Sequence, residues 1–333
     1  MNANASDMPH LDPLVWPLAG AETTARIRTI EKDLFIEHDY SRHLGALLRE
    51  LIAGPRQTRM PCLLIVGDAG MGKTAQLHRF QRQHPDVTDA APSVLLRPIV
   101  IVNVPPEPTR ITLTFALLEA LNAPTAVRHR TVDHAGVIRR MLAGHRTRIV
   151  IFDEIQHICY SRARDRSVVL DTIKSISTES QVNVICAGTR AAEREFMADA
   201  QLERRFEVTR FVPWAQNAAF RRFLEAYERV RPLRLPSFLG RADMMSAVLE
   251  ETAGITHRIV QRLNAAAMVA VHERIERITC DLIHVQRTEP ERVHAARQTA
   301  VAGVVEPTGS GQSPTFRNTR RRQTNLGCPR GAL

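Results

Sequence analysis

The stretch Gly67-Asp68-Ala69-Gly70-Met71-Gly72-Lys73-Thr74 constrains this 333-residue chain more than any other, because it fits the spacing G-x-x-x-x-G-K-[ST] of a phosphate-binding loop. A triphosphate needs backbone N–H groups turned inward from a tight turn, and glycine permits both the dihedral angles and the close approach. A helix opening at about Gly72 adds its positive N-terminal end. In that arrangement Lys73 reaches the β- and γ-phosphates of ATP, and the Thr74 hydroxyl faces Mg2+. The flanks agree. Cys62-Leu63-Leu64-Ile65-Val66 is a short apolar run of strand formers, and Ala75 to Phe80 continues as a helix.

A second anchor is Arg148-Ile149-Val150-Ile151-Phe152-Asp153-Glu154, a buried parallel strand with two carboxylates at its carboxyl end. In an open α/β sheet that end is where ligands bind. Two acids there are costly without a cation, which points to Mg2+. On this reading Asp153 holds the ion and Glu154 orients or deprotonates an attacking water. The alternative is that both residues simply start a helix from Ile155 to Tyr160.

Further strands are expected over Pro98–Val104, Val182–Thr189 and Val208–Val212, with helices over Ile111–Asn122, Val132–Ala143 and Ala191–Leu202. Strand and helix alternating in this way make a parallel α/β sandwich. Thr189, at a strand end, either senses a γ-phosphate or caps the next helix. Pro213-Trp214 marks a boundary, beyond which the pattern is helical over roughly 215–229, 241–252 and 256–276, with a further segment to about 300. Arg258 lies in the first turns of one such helix, where it opposes the dipole; it serves an anion or is a solvated surface arginine. Ahead of the loop, residues 1–20 look extended, either disordered or an arm for a partner, and helices follow over Thr23–Ile36 and Ser41–Ile52. The expected organisation is an N-terminal arm with helices (1–55), a P-loop core (56–212), a helical lid (213–300) and a disordered basic tail (301–333).

The net charge of +10 favours an acidic partner such as DNA, although Arg317, Arg320, Arg321, Arg322 and Arg330 of the tail supply half of it. Those tail arginines either touch phosphates or do nothing. Elsewhere Arg110, Arg128 and Arg130, and the run Arg162, Arg164, Arg166 with Lys174, are candidates for sequence-independent phosphate contacts; the alternative is ordinary solvated loops. Cys62, Cys159, Cys186, Cys280 and Cys328 form no C-x-x-C pair and read as free thiols of a reducing compartment. No signal segment and no apolar stretch near 18 residues is present, so a soluble, cytoplasmic protein without membrane contact is expected. Zinc-protease spacing and the G-x-S-x-G elbow are absent.

Taken in order, these motifs resemble the AAA+ ATPase class. More narrowly the chain resembles TniB, the ATP-binding transposition protein related to TnsC. The resemblance rests on Arg59-Met60-Pro61, Phe152-Asp153-Glu154-Ile155-Gln156-His157, Ala187-Gly188-Thr189, Leu202-Glu203-Arg204-Arg205-Phe206 and Arg258 to Ala266, and covers about residues 23–285. It implies a P-loop NTPase three-layer sandwich with a five-stranded parallel sheet and an α-helical lid. It also implies an ATP-dependent homo-oligomer, ring or filament, on double-stranded DNA, and recruitment of a DDE-type transposase. In such assemblies a neighbour's arginine completes the site, and Arg205, with Arg204 as runner-up, stands where the family keeps it. Tyr40 lies where many such ATPases approach the adenine ring, and either stacks there or is structural. Two further readings are a helicase loader or replication initiator, as in the IstB and DnaC group, and a nucleotide-gated adaptor with very slow hydrolysis. An initiator is expected to carry a winged-helix domain, which the residues after Gly303 are too few to build.

Overall fold

Four short apolar runs, largely buried on both faces, and one more polar edge strand form a parallel sheet. The computed structural model describes residues 8–32, 34–90, 93–124, 126 and 133–284. The strands in chain order are β1 (Cys62–Gly67), β2 (Val87–Ala90), β3 (Ser93–Leu96), β4 (Ile99–Asn103), β5 (Ile149–Asp153), β6 (Asn183–Gly188) and β7 (Phe206–Phe211). The main sheet has the order β4-β5-β6-β1-β7, with every neighbouring pair parallel. β2 and β3 form a separate antiparallel hairpin that the sequence pattern does not announce.

The helices are α1 (Trp16–Ala19), α2 (Thr23–Glu31), α3 (Asp39–Ala53), α4 (Lys73–Gln83), α5 (Arg110–Ala120), α6 (His134–Gly144), α7 (Ala163–Ser180), α8 (Arg190–Ala198), α9 (Ala200–Glu203), α10 (Ala218–Arg229), α11 (Ala242–Thr252), α12 (Thr256–His272) and α13 (Cys280–His284). The expected helix Ala191–Leu202 is broken in two at Asp199, whose carboxylate accepts from the Gln201 and Leu202 N–H groups and starts a new turn. Asn217 caps α10 in the same way, accepting from Phe220 N at 3.0 Å.

Side chains alternate across the strands with period two. Leu64, Val66, Val150, Phe152, Val184 and Cys186 join Leu113, Leu117, Leu142 and Ile173 in one core. Leu63, Ile65, Ile149, Ile151, Ile185 and Ala187 face the other way, onto Leu44, Leu48, Leu77 and Phe80. Both layers of helices are therefore in place around the sheet, as the resemblance implied.

A third core is wholly helical. Phe220, Phe223, Leu224 and Tyr227 recur along one face of α10 and pack with Met244, Met245, Val248, Ile259 and Leu263. The N-terminal segment belongs to this core. Ile30 of α2 is buried in it, and Arg26, 2 % exposed, donates to the Pro232 carbonyl and pairs with Glu276. Residues 8–20 run along the same helices, with Asp12 N donating to Arg229 O at 2.8 Å and Arg234 Nε to Ala19 O at 3.1 Å. Where described, the arm thus docks on its own chain, and α2 stops at Glu31 rather than Ile36. The tail beyond residue 284, with Cys328 and the segment expected to reach 300, lies outside the described residues. Cys62, Cys159, Cys186 and Cys280 are free. Among the described residues no helix is long and apolar enough to cross a membrane.

Gly254 seats this helical unit. Its φ is +69°, Trp214 N donates to its carbonyl at 2.9 Å, and an added Cβ would lie 2.4 Å from Trp214 O. Gly254→Ala should therefore destabilise the protein by roughly 2 kcal/mol or more. Urea denaturation checks this, and a loss below about 0.5 kcal/mol, typical of an indifferent surface site, would show that the contact relaxes freely.

Candidate functional site

The loop between β1 and α4 folds as its glycines dictate. Gly70 (φ +79°) and Gly72 (φ +89°) take left-handed dihedrals that L side chains resist, and Gly72 occupies the N-cap position of α4. At Gly67 the reason is crowding, since a Cβ there would lie 2.6 Å from Phe211 O on β7. Lys73, the first helical residue, is only 8 % exposed; its Nζ donates to Gly67 O at 2.8 Å and to Asp68 O at 3.0 Å. Burial pushes its pKa below the usual lysine range, against the pull of Asp153, Glu154 and Asp68.

The second motif meets the first at the carboxyl end of the sheet. Thr74 Oγ1 donates to Asp153 Oδ2 at 2.7 Å, and Asp153 Oδ1 accepts from Glu154 N at 2.9 Å. Asp153 is buried and Glu154 exposed. Glu154 has φ 56° and starts a 3-10 turn, Ile155–Tyr160, in place of an α-helix; its side chain makes no capping bond. Thr189 stands at the N-cap of α8 and likewise makes no side-chain cap. A cavity of about 270 Å³ is lined by Ala69 to Ala75, Asp153, Glu154, Gln156, Gly188, Thr189 and His257. Every Walker-type residue except Gly67 and Asp68 thus lines one space, and those two hold the Lys73 ammonium beside it.

Gln156 and His257 carry no role in the sequence reading, yet both line the cavity. Gln156 Nε2 donates to the Glu154 carboxylate, while its Oε1 accepts from Thr189 N at 3.2 Å. His257, in the first turn of α12, donates its backbone N–H to Gly70 O at 2.9 Å, and an added Cβ on Gly70 would meet its Cβ at 3.1 Å. Arg258, the residue singled out from sequence, is exposed and absent from the cavity lining. A polar residue two positions beyond Asp-Glu was a visible signal for Gln156; nothing local marks His257.

The remaining arginines divide. β7 runs parallel to β1 with Phe206 level with Cys62, so Arg204 and Arg205 lie at the amino end of the sheet, roughly 15–20 Å of strand from the loop after Gly67. Arg205 is not without a partner in its own chain, as its guanidinium donates to Thr178 Oγ1 at 3.0 Å, a neutral hydroxyl. Arg204 is exposed and its carbonyl accepts from Arg59. Arg110, Arg162 and Arg164 are exposed beyond the carboxyl ends of β4 and β5, and Ser161 Oγ bonding to Pro108 O holds these loops together. Arg166 is paired with Glu195 at 2.7 Å. Lys174 is mostly buried between Asp199 and Asp171; burial opposes its charge, but those bonds outweigh it and raise its pKa. These two cations are already neutralised within the chain. Arg128 and Arg130 lie outside the described residues.

Tyr40 sits in an aromatic wall with His38, Trp214 and Phe211, at ring-centroid distances of 6.2, 5.8 and 6.1 Å. That is a packing position between α3 and the helical unit. His38 caps α3 and contacts Trp214 and Phe223 edge-on.

A five-stranded parallel sheet with this loop, this acid pair and a following helical unit is the AAA+ form of the P-loop fold. The family model described as Bacterial TniB protein matches residues 26–216, more than half of the chain, and the chain belongs to the TniB family. None of the curated proteins matches it in sequence. Among solved structures it is similar in fold to the Aeropyrum pernix ORC2 protein in ADPNP–ADP complexes, with TM-score 0.52 and 16% identity over 83% of this chain and 79% of that one. The A. pernix ORC1 protein in complex with DNA gives TM-score 0.52 and 18% identity over 84% and 72%. Cdc6p from Pyrobaculum aerophilum gives 0.53 and 14% over 75% and 67%.

His38 generates a pH prediction. Burial lowers its pKa from 6.5 to about 4, with Asp39 pulling it up and Arg42 pushing it further down. The unfolded chain takes up this proton below pH 6.5 and the folded chain does so only near 4. Its contribution is therefore complete above pH 6.5 and declines as pH falls toward 4, by up to about 1.4 kcal/mol per unit. His145, also lowered mainly by burial, acts in the same sense. Urea titrations at pH 7.5 and 5.5 should show a smaller loss for His38→Asn, which keeps a capping acceptor, than for the parent; equal losses would remove His38 from the account.

Proposed function

We propose that this chain is an ATPase that uses Mg2+–ATP to assemble on double-stranded DNA and direct a DDE-type transposase to its target. One observation carries the reading: buried Lys73, the Thr74–Asp153 pair and Glu154 converge on one cavity in a chain of the TniB family. Family membership supports the transposition step. The fold likeness to a structure that holds ADPNP and ADP, and to one in complex with DNA, supports the two ligands.

The residues fit both groups. Lys73 is buried with main-chain carbonyls as its hydrogen-bond partners, so an anion completes its charge. Thr74 and Asp153 offer hard oxygens. Among the described residues no cluster of three or more His, Cys, Asp or Glu exists, and Mg2+ favours one or two protein oxygens plus phosphate over a protein cage. Mg2+, when bound, neutralises β- and γ-phosphate oxygens; Thr74 and Asp153 would hold it. Lys73 and the loop N–H groups bind the phosphates. Glu154 orients the attacking water and takes its proton as the new O–P bond forms and the bond to ADP breaks. Thr189 contacts the γ-phosphate, and Arg205 of a neighbouring copy, or Arg204, balances the charge that develops there. Arg258 is proposed to swing toward the phosphates from the first turn of α12. The arm with its helices, the P-loop core and the helical lid are proposed as the working parts.

Lys73→Ala should abolish ATP binding, whereas Glu154→Gln should keep ATP and lose hydrolysis by about 10²-fold or more. Arg205→Ala should bind ATP and hydrolyse it poorly alone, and mixing it with Lys73→Ala should restore turnover at composite sites. Single-turnover assays with and without duplex DNA decide; parent-rate hydrolysis by Glu154→Gln would sink the acid-pair reading, and inactive mixtures the shared site.

DNA binding should require ATP and weaken with salt. Three phosphate contacts from Arg110, Arg162 and Arg164 predict a drop of roughly 40-fold between 50 and 200 mM salt, and each reversal to Glu should lower the slope by about one. Arg166→Ala and Lys174→Ala should leave the slope alone, since those charges are spent on Glu195 and on Asp199 with Asp171. Salt-independent affinity, or equal affinity without nucleotide, would refute this surface.

A further inference from the structure

The amide of Gln156 is held at both ends. Its Oε1 accepts from the Thr189 N–H at 3.2 Å, and its Nε2 donates to the Glu154 carboxylate. A primary amide is planar, so fixing the oxygen fixes the direction in which the NH2 group points. Gly188 makes the seat. A Cβ at Gly188 would lie 2.8 Å from Gln156 Oε1, 3.2 Å from Gln156 N and 2.7 Å from Ile155 Cγ2. The side chain is thus pressed onto the carboxyl end of β6 in the one place where that strand carries no side chain.

Glu154 needs such a partner. It is exposed, its backbone is left-handed at φ 56°, and its side chain makes no capping bond to the turn that follows. A free glutamate in that position samples several rotamers, and each must be lost before its carboxylate can serve one water. The Gln156 amide removes that freedom and ties the carboxylate to the β6 end, where Thr189 lines the same cavity.

We propose that Gln156 is a positioning residue that aims the Glu154 carboxylate by bridging it to the Thr189 backbone N–H. This rests on the ATPase reading above. It does not require Gln156 to touch the nucleotide. It makes the end of β6, which leads into Thr189, and the residue that activates water into one mechanical unit, so a shift at the end of β6 re-aims Glu154.

Two variants separate aiming from packing. Gln156→Ala removes both bonds. Gln156→Glu keeps the length, the shape over Gly188 and an acceptor for Thr189, and replaces the NH2 donor with an oxygen that repels Glu154. Both should bind a fluorescent ATP analogue as the parent does while kcat falls by roughly 10- to 100-fold, the scale of a misplaced catalytic group. Amide hydrogen exchange at Thr189, measured without nucleotide, should speed up in Gln156→Ala and stay slow in Gln156→Glu. A Gln156→Glu protein with parent kcat would reduce the residue to packing and overturn the proposal. So would unaltered Thr189 exchange in Gln156→Ala, whatever the nucleotide results. Failure of the parent protein to bind ATP would strike the ATPase reading instead, and the exchange comparison would still decide whether the bridge exists.

Discussion

Two glycines hold the helical unit in register with the phosphate loop. Gly254 turns the chain under Trp214, and the turn delivers Ile255 and His257 onto Gly70, where a backbone hydrogen bond of 2.9 Å closes the joint. The first contact is between main-chain atoms, and the second adds the His257 and Ile255 side chains to a main-chain bond. A Cβ at Gly254 would meet the Trp214 backbone and a Cβ at Gly70 the His257 and Ile255 side chains, so both approaches depend on glycine. The cavity then has one wall from the sheet and one from the first turn of α12, and anything that presses on the loop presses on the helical unit.

Electrostatics works in the same confined place. A lysine with 8 % exposure, a buried aspartate and an exposed glutamate lie around one cavity, and burial alone weakens the lysine's hold on its proton. An arriving phosphate would restore the balance toward the charged form.

Much of this was legible beforehand. The glycine loop and the Asp153-Glu154 strand end are local patterns, and four of the five sheet strands are short apolar runs whose burial follows from parallel pairing, the edge strand Phe206–Phe211 being more polar. What escaped was set by distance in sequence. His257 reaches Gly70 across 187 residues, and Arg26 reaches Glu276 across 250, so no window contains both partners. Arg166 and Lys174 read as available cations because Glu195 and Asp199 lie a strand and a helix away, although Asp171, the second partner of Lys174, is only three residues off. Asp199 broke a helix that propensity alone would continue, by spending its carboxylate on two backbone N–H groups. Gln156 was in plain view, but its contact with Gly188 is not, since in sequence Gly188 is only the middle of Ala187-Gly188-Thr189, 32 residues on.

The placement of Arg204 and Arg205 at the amino end of a sheet whose carboxyl end carries the phosphate loop has a geometric consequence. If a copy lends an arginine to its neighbour's cleft without receiving one in return through the same contact, two unlike surfaces meet and the contact repeats head to tail. Such a series has a direction. If it stays open, one terminal copy shows a cleft that no arginine completes and the other shows arginines with no cleft to serve, so growth and loss at the two ends would proceed by different chemistry. Only a rotation that brings the last copy back to the first would make all clefts equivalent.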